Sequence, residues 1–258
     1  MIDIYQHFRK EEEPFIDQVL SWKERVEKSY QYKLTDFLDP REQQIVKMLI
    51  GENNTDVKCD VLPKERAERK RVIIAPFYDE MMEEDFQLTL LEATYPVKFT
   101  QIQHKDVMGS FLSLGIERKK LGDIVVDDGI IQLITANEIT PYITANLTSI
   151  KKATVQFKEV PLAQMRESQD EWEPFDKTVS SLRLDAVMKE IYHLSRKDAS
   201  DLIKKSLVKV NHRLVDDSKF TVQEGDLVSV RGKGRSKLIE IQGKTRKEKW
   251  RITAAKLK

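Results

Sequence analysis

The side chains with the clearest chemical potential are the cations in the last third of the chain. Residues 178–258 contain twenty lysines and arginines against ten aspartates and glutamates, a net charge of +10, whereas residues 1–177 carry −9. Guanidinium and ammonium groups gathered in one region bind phosphate oxygens. The charge asymmetry therefore predicts a polyanion, above all a nucleic acid, as the partner of the C-terminal region. An acidic membrane is a weaker candidate, because the basic region has no long apolar face to insert.

The first element that must position these cations is an amphipathic helix. Leu184, Val187 and Ile191 recur at helical spacing and predict a buried face, with Arg183 at the start of the helix. Asp185 is expected to orient Arg183 or to accept hydrogen bonds from nearby backbone amides. The Arg-Leu-Asp triplet also occurs at the active sites of pseudouridine synthases, but the residues on both sides of it differ here from that motif. A catalytic role for Asp185 is therefore not expected.

A second helix is predicted to begin after Ser195, whose hydroxyl can cap it, with Asp198 three residues further on. Arg196 and Lys197 then lie in the first turn, where the helix dipole disfavours cations. A bound phosphate would compensate for that cost, so the start of this helix is predicted to contact phosphate. For the two lysines that end the helix, stabilisation of the dipole is as good an explanation as RNA binding.

Turns and a glycine-containing loop carry the remaining cations. Asn211 and His212 tolerate positive φ and predict a hairpin turn flanked by Lys209 and Arg213. In the Arg-Gly-Lys-Gly-Arg run at 231–235, the glycines would let the backbone approach a phosphate closely. We expect the cations to form one continuous cradle for a folded RNA, read through its shape and 2′-hydroxyl groups. The predicted RNA-binding residues are Arg183, Asp185, Ser195, Arg196, Lys197, Lys204, Lys205, Lys209, Asn211, Arg213, Lys219, Arg231, Lys233 and Arg235.

The remainder of the chain predicts a multidomain protein of the α+β class. Residues 1–70 show helical spacing of apolar side chains and predict a helical N-terminal domain. Residues 71–164 predict a ferredoxin-like, RRM-like domain with the element order β-α-β-β-α-β. Its two central strands lack paired aromatics, so base stacking on the sheet is not expected. Residues 165–178 are acidic and without periodicity and predict a linker, which leaves residues 179–258 as the basic domain.

Other reactive side chains favour structural roles. Cys59, the single cysteine, lies in an alternating strand pattern that predicts a half-buried thiol rather than a nucleophile. His104 and Asp106 could form an acid–base pair, but Asp106 is also placed to cap a helix. Residues 118–120 are a basic turn that is either a second RNA contact or a solvated surface. No metal site, cofactor or catalytic residues are expected.

The chain has no apolar run of membrane-spanning length and no signal pattern at its N-terminus. We therefore expect a cytoplasmic protein without membrane insertion. The single cysteine agrees weakly with a reducing compartment.

The order of the features in residues 183–235 resembles the S4 RNA-binding module of ribosomal protein S4, bacterial tyrosyl-tRNA synthetases and several pseudouridine synthases. The passage HKDVMGSFLSLGIERKKLGDI and the later RGKGR are similar to the YlmH family of bacterial proteins, whose genes typically lie among those for division. This resemblance implies a non-catalytic protein that binds rRNA and tRNA on the large ribosomal subunit with peptidyl-tRNA. Its role would lie in ribosome-associated quality control or translation, with a link to cell division. Arg183 and Arg196 would then contact ribosomal RNA and tRNA.

Two other functions stay open at this point. An RNA-modifying enzyme, similar to the pseudouridine synthases, could use an S4-like module as an accessory domain. An adaptor could instead use the acidic front of the chain to connect division proteins with translation.

Overall fold

The computed structural model describes residues 4–51, 55–63, 67–167 and 171–258, and it divides into two units, 1–168 and 169–258. Both units contain helices and strands, so the predicted α+β class is confirmed. Within the described residues, no helix is both long and apolar enough to cross a membrane.

The first unit begins with two helices, α1 (Glu13–Ser29) and α2 (Pro40–Ile50). The N-terminal cap of α2 is Asp39, whose Oδ1 accepts a hydrogen bond from the backbone N–H of Glu42 at 2.9 Å. Helix α2 ends at Gly51, which has a positive φ of 77°. Both caps depend only on residues next to the helix ends.

A three-stranded antiparallel sheet packs against these helices, in the order β1-β3-β2. Its strands are β1 (Lys33–Leu34), β2 (Val57–Leu62) and β3 (Arg71–Pro76). The N-terminal region, which was predicted to be a helical domain, therefore contains strands as well as helices. All six residues of β3 are buried, because the strand is central and covered on both faces. This strand, which was predicted to begin the middle domain, pairs with strands of the N-terminal region.

A four-stranded antiparallel sheet follows, in the order β5-β6-β4-β9. The elements of this part are β4 (Leu88–Thr94), α3 (His104–Ser113), β5 (Leu121–Asp127), β6 (Ile130–Ala136), α4 (Thr140–Asn146), β7 (Ser149–Ile150), β8 (Ala153–Thr154) and β9 (Lys158–Val160). Asp128 and Gly129 form the β5–β6 turn with positive φ. The last strand, predicted as one element, is split between β8 and β9, because Val155 and Phe157 turn into the core between them.

The second unit is a six-stranded antiparallel sheet with two helices on one face. The sheet order is β10-β15-β14-β13-β11-β12. Its elements are β10 (Trp172–Val179), α5 (Leu184–Tyr192), α6 (Arg196–Lys204), β11 (Val208–Val210), β12 (Arg213–Leu214), β13 (Leu227–Val230), β14 (Gly234–Lys244) and β15 (Trp250–Leu257). The core lies between the helices and the sheet and includes Leu184, Ile203, Val228 and Ile252.

Strand β10 corrects the linker prediction for residues 165–178. All eight residues of β10 pair in continuous register with β15, and Phe175 and Val179 face the core. The strand was missed because it lies at the sheet edge, where only one face is buried and Pro174 is tolerated. The segment is acidic and contains a proline, which is the composition of a linker, but it forms the edge strand of the sheet.

Candidate nucleic-acid interface

A buried carboxylate joins the two helices of the second unit. Asp185, in the first turn of α5, accepts hydrogen bonds from Arg183 Nε at 3.1 Å and Arg183 Nη2 at 2.8 Å. It also accepts a hydrogen bond from Nε of Arg196, the first residue of α6, at 3.2 Å. The Asp185 side chain is 5% exposed, whereas those of Arg183 and Arg196 are 33% and 55% exposed. We call these three residues the Arg-Asp-Arg cluster.

The electrostatics of this cluster keep Asp185 ionised at neutral pH. Burial by itself would raise the pKa of the carboxyl, but hydrogen bonds and charges from Arg183 and Arg196 outweigh burial and hold the pKa of Asp185 below its usual value. Two guanidinium groups against one carboxylate leave a net charge of +1. The carboxylate therefore fixes the positions of both arginines without cancelling their attraction for phosphate.

The start of α6 is capped as the sequence predicted. Ser195 Oγ accepts a hydrogen bond from the backbone N–H of Asp198 at 3.0 Å and donates one to Asp198 Oδ2 at 2.7 Å. This cap places Arg196 and Lys197 in the first turn. The ion pair of Arg196 with Asp185 already offsets the repulsion from the helix dipole, so a phosphate is not needed to explain that arginine.

Asn211 has a structural role that accounts for its presence without a ligand. Its backbone has a φ of 47° at the hairpin turn. The side-chain Nδ2 donates to Asp226 Oδ1 at 2.7 Å, and Oδ1 accepts a hydrogen bond from the backbone N–H of Leu227 at 2.9 Å. Both ends of the amide thus connect the turn at 211–212 to the turn before β13.

Two predicted cations of the strands, Lys209 and Arg235, lie on the opposite face of the sheet from α5 and α6. Val208 and Val210 point into the core, so Lys209 between them points to the open face. Ser229 lies opposite both Lys209 and Arg235 in register, which puts these two cations in one row across the sheet. The expectation of one continuous cradle is therefore wrong, because strand alternation separates these cations from the helical layer.

The other predicted residues are exposed but belong to different parts of the unit. Lys204 and Lys205 lie at the C-terminal end of α6, away from the Arg-Asp-Arg cluster. The remaining exposed cations lie on β12, on the loop before Thr221 and on the turn between β13 and β14; they are Arg213, Lys219, Arg231 and Lys233.

One aromatic neighbour of this set was not predicted. The Arg235 guanidinium lies 5.9 Å from the centre of the Trp172 ring, at cation–π distance. Trp172 belongs to β10, so the linker interpretation concealed it. The alternation of Phe175, Lys177 and Val179 toward the core was the available signal for a strand.

The side chains of the first unit that had two possible roles all make contacts within the fold. Asp106 caps α3 by accepting from the backbone N–H of Gln103 at 2.9 Å and pairs with Lys151 at 2.6 Å. Burial lowers the pKa of Arg118 to about 10, and its guanidinium donates to the carbonyl oxygens of Leu121 and Gly122.

The rest of the basic turn and the cysteine are also accounted for. Lys119 and Lys120 both pair with Asp36. Cys59 is a partly buried thiol in β2, as predicted, and burial raises its pKa. The described part of the chain contains no group of three or more potential metal-binding side chains.

Comparison with known proteins places this arrangement in a family. Residues 82–164 match the family described as "Putative RNA-binding domain in YlmH", and residues 182–228 match the S4 domain. A protein of Bacillus subtilis (strain 168), "Ribosome-associated protein quality control protein P2", is 43% identical over 253 residues, which cover 98% of each chain. The chain belongs to the YlmH family.

Two further relatives of this YlmH-family protein differ in how much of the chain they match. The solved structure "Cell division protein ylmH from Streptococcus pneumoniae" is 31% identical, with a TM-score of 0.55 over 64% of this chain and 99% of that chain. An "Uncharacterized RNA pseudouridine synthase" of Aquifex aeolicus (strain VF5) is 40% identical over 52 residues, 20% of this chain and 22% of the relative. A match of that length is not evidence that this chain catalyses the reaction of a pseudouridine synthase.

Proposed function

We propose that this YlmH-family protein is a non-catalytic RNA-binding protein that holds rRNA and tRNA on the large ribosomal subunit with peptidyl-tRNA. Its role would be in ribosome-associated quality control, the process named in a relative that aligns along nearly the whole chain. The S4-domain match in the basic unit supports RNA as the ligand. The observation that carries the proposal is the Arg-Asp-Arg cluster within that match.

The cluster is suited to phosphate because its geometry is set before RNA arrives. Asp185 holds Nε of both arginines, while the guanidinium edges of Arg183 and Arg196 remain partly exposed. Side chains that are already ordered lose less conformational entropy on binding. Contacts of this kind read the backbone and shape of a folded RNA more than its base edges.

The same contacts argue against catalysis by Asp185. A nucleophilic or general-base carboxylate needs an accessible oxygen, whereas both oxygens of Asp185 accept hydrogen bonds from arginines inside the fold. This supports the non-catalytic assignment over an RNA-modifying enzyme.

Two finer assignments accompany the proposal. We infer a ferredoxin-like topology for the middle sheet, supported by its β-α-β-β-α-β order and its strand order β5-β6-β4-β9. We also infer a link to cell division, supported by the name of the pneumococcal relative.

The proposal is tested with Arg183→Ala combined with Arg196→Ala in the full chain. We expect affinity for large ribosomal subunits carrying peptidyl-tRNA to fall by about tenfold or more, because charge-assisted hydrogen bonds to phosphate are lost. The slope of log affinity against log salt should decrease by about two, roughly one for each phosphate contact. Sedimentation binding at several KCl concentrations measures both quantities.

A matched control is Lys247→Ala with Lys249→Ala, which removes the same charge from the exposed β14–β15 turn. The single variant Arg196→Ala guards against misfolding, since Arg183 still pairs with Asp185 in it. Unchanged affinity and unchanged salt slope in the folded double variant would contradict the proposal.

A further inference from the structure

The loop between β4 and α3 presents an exposed phenylalanine. Phe99 is 85% exposed, more than any other large apolar side chain among the described residues. The loop is anchored on both sides, because Tyr95 and Ile102 pack into the core of the middle domain. A turn in which the backbone N–H of Phe99 donates to the carbonyl of Pro96 at 3.2 Å points the ring away from that core.

This exposure is unusual for the domain. The neighbouring phenylalanines Phe111 and Phe157 are 0% and 4% exposed. An exposed ring does not contribute the free energy that burial of its apolar surface would give. A single apolar side chain on the surface is common, however, so a second feature is needed before it indicates a binding site.

The open face of the middle sheet cannot serve for base stacking. Phe37 covers it and packs with Leu90 and Ile134, all three almost fully buried. The segment after β9 closes the rest, because the Gln132 side chain donates to the carbonyl of Gln164 at 2.9 Å and accepts from the backbone N–H of Arg166 at 2.7 Å. An RNA base would have to contact this domain elsewhere.

The second feature is a group of lysines around the loop. Lys98 precedes the phenylalanine, and Lys151 connects the β7–β8 turn to the loop through a 2.9 Å hydrogen bond to the carbonyl of Gln101. Lys151 also neutralises Asp106, and the adjacent Lys152 is exposed. Within the described part of the chain, Lys98 and Lys152 make no hydrogen bond or ion pair.

The acidic groups on this side of the loop are few. The carboxylate of Asp106 is occupied by Lys151, with Lys105 also close enough to lower its pKa. Asp128 lies in the β5–β6 turn. The carbonyl of Gly129 in the same turn accepts a hydrogen bond from the backbone N–H of Tyr95. In the loop and the segments bonded to it, Lys98, Lys105, Lys151 and Lys152 outnumber Asp106 and Asp128.

We propose that Phe99 stacks on an unpaired RNA base while Lys98 and Lys152 contact the flanking phosphates. An exposed aromatic ring among cations is the arrangement that holds single-stranded segments, loops and bulges. This contact is separate from the Arg-Asp-Arg cluster, and it rests on the proposed function only in taking RNA as the ligand. The positive surroundings favour RNA over an apolar protein surface.

Photo-crosslinking in cells identifies the class of partner directly. Phe99 is replaced by the photoreactive residue p-benzoylphenylalanine in the full chain, and Tyr142, a half-exposed ring on α4, is replaced in the same way as the control. We expect position 99, and not position 142, to form an adduct with RNA at unpaired nucleotides. Adducts with protein alone, or no adduct at position 99, would overturn the proposal.

Binding to purified large ribosomal subunits provides the energetic test. Phe99→Ala should weaken binding by about fivefold or more, since one base stacked on an aromatic ring contributes at least that factor. Phe99→Tyr keeps the ring and should bind nearly as the parent, as should the control Tyr142→Ala. Lys98→Ala with Lys152→Ala should lower the salt slope, whereas Lys10→Ala with Lys158→Ala should not.

Parallel measurement of Arg196→Ala separates this inference from the proposed function. If Arg196→Ala weakens binding and Phe99→Ala does not, the Phe99 site is refuted and the proposed function stands. If Phe99→Ala weakens binding and Arg196→Ala does not, the site stands and the Arg-Asp-Arg cluster loses its role.

Discussion

Asp185 is a carboxylate that the fold buries between two guanidinium groups. The free-energy cost of burying its charge is opposed by the hydrogen bonds that it accepts from them. Burial of a charge is expensive, and an ion pair repays that cost only when the geometry is good and the hydrogen bonds are complete. Here three hydrogen bonds from Arg183 and Arg196 satisfy the two oxygens. The same bonds orient the arginines, so one residue contributes both to the stability of the α5–α6 pair and to the proposed RNA interface.

Asp185→Asn should therefore lower both stability and RNA affinity. We expect a loss of about 1–3 kcal/mol in the free energy of unfolding of the C-terminal unit, because charge-assisted hydrogen bonds are replaced by weaker ones. Urea denaturation measures this loss. Glu190→Gln, which removes only an exposed pair with Lys189, is the control and should change stability by a few tenths of a kcal/mol.

The pH dependence of the same variant has a defined sign. The pKa of Asp185 is lowered in the folded protein, so its stabilisation is present at neutral pH and is lost as the pH falls below about 4 through the folded pKa. The stability difference between parent and Asp185→Asn should shrink over that range. A difference that stays constant from neutral to acidic pH would argue against an ionised, ion-paired Asp185.

At the scale of elements, Gly122 in strand β5 allows Phe37 of the N-terminal region to pack against the middle sheet. A Cβ built on Gly122 would lie 2.7 Å from Cε1 of Phe37 and 3.2 Å from Cβ of Ile134. Phe37 is itself held in place, since its backbone N–H donates to the carbonyl of Lys119 at 2.9 Å. The glycine therefore permits the ring to cover the sheet face that an RRM-like domain would otherwise offer to bases.

Gly122→Ala should destabilise the first unit by about 1–3 kcal/mol, because a buried ring and a β-branched neighbour would have to move. Gly109→Ala is the matched control, as it lies in α3 with nothing within 4 Å of the added Cβ. That control should stabilise the protein by about 0.5–1 kcal/mol through higher helix propensity. Thermal unfolding of both variants checks the opposite signs, and destabilisation of similar size in both would refute the packing account.

At the scale of the whole molecule, the charge split follows the two units. Unit 1–168 carries a net charge of −6 and unit 169–258 carries +7, because the acidic residues at 170–176 belong to the second unit. Strand β10 is the first element of the second unit and forms one edge of its sheet, so it contributes to the stability of that unit. The boundary of the unit therefore lies about ten residues before the start predicted from composition at residue 179.

A fragment of residues 169–258 should fold cooperatively and bind RNA, whereas residues 179–258 should be markedly less stable. The shorter fragment loses Phe175 from the core and leaves β15 as an unpaired edge prone to aggregation. Circular dichroism during heating compares their melting temperatures. Equal melting temperatures would mean that β10 contributes little to the unit.

Short-range features were readable directly from neighbouring residues. The Ser195 cap of α6 depends on a few consecutive residues, so sequence pattern and local chemistry predicted it. The Asp39 cap of α2 and the positive-φ turn at Asp128 and Gly129 are features of the same short range. The S4-like resemblance and the YlmH family followed from motifs of the same short range.

Long-range features required the folded chain. The pairing of Arg196 with Asp185 joins residues eleven positions apart, and the partners of β3 and β10 lie far along the sequence. Lys209 and Arg235 were grouped with the helical cations, but strand alternation turned them to the other face of the sheet. Composition states how many cations a region has, whereas their positions depend on strand register and helix packing, which long-range contacts set.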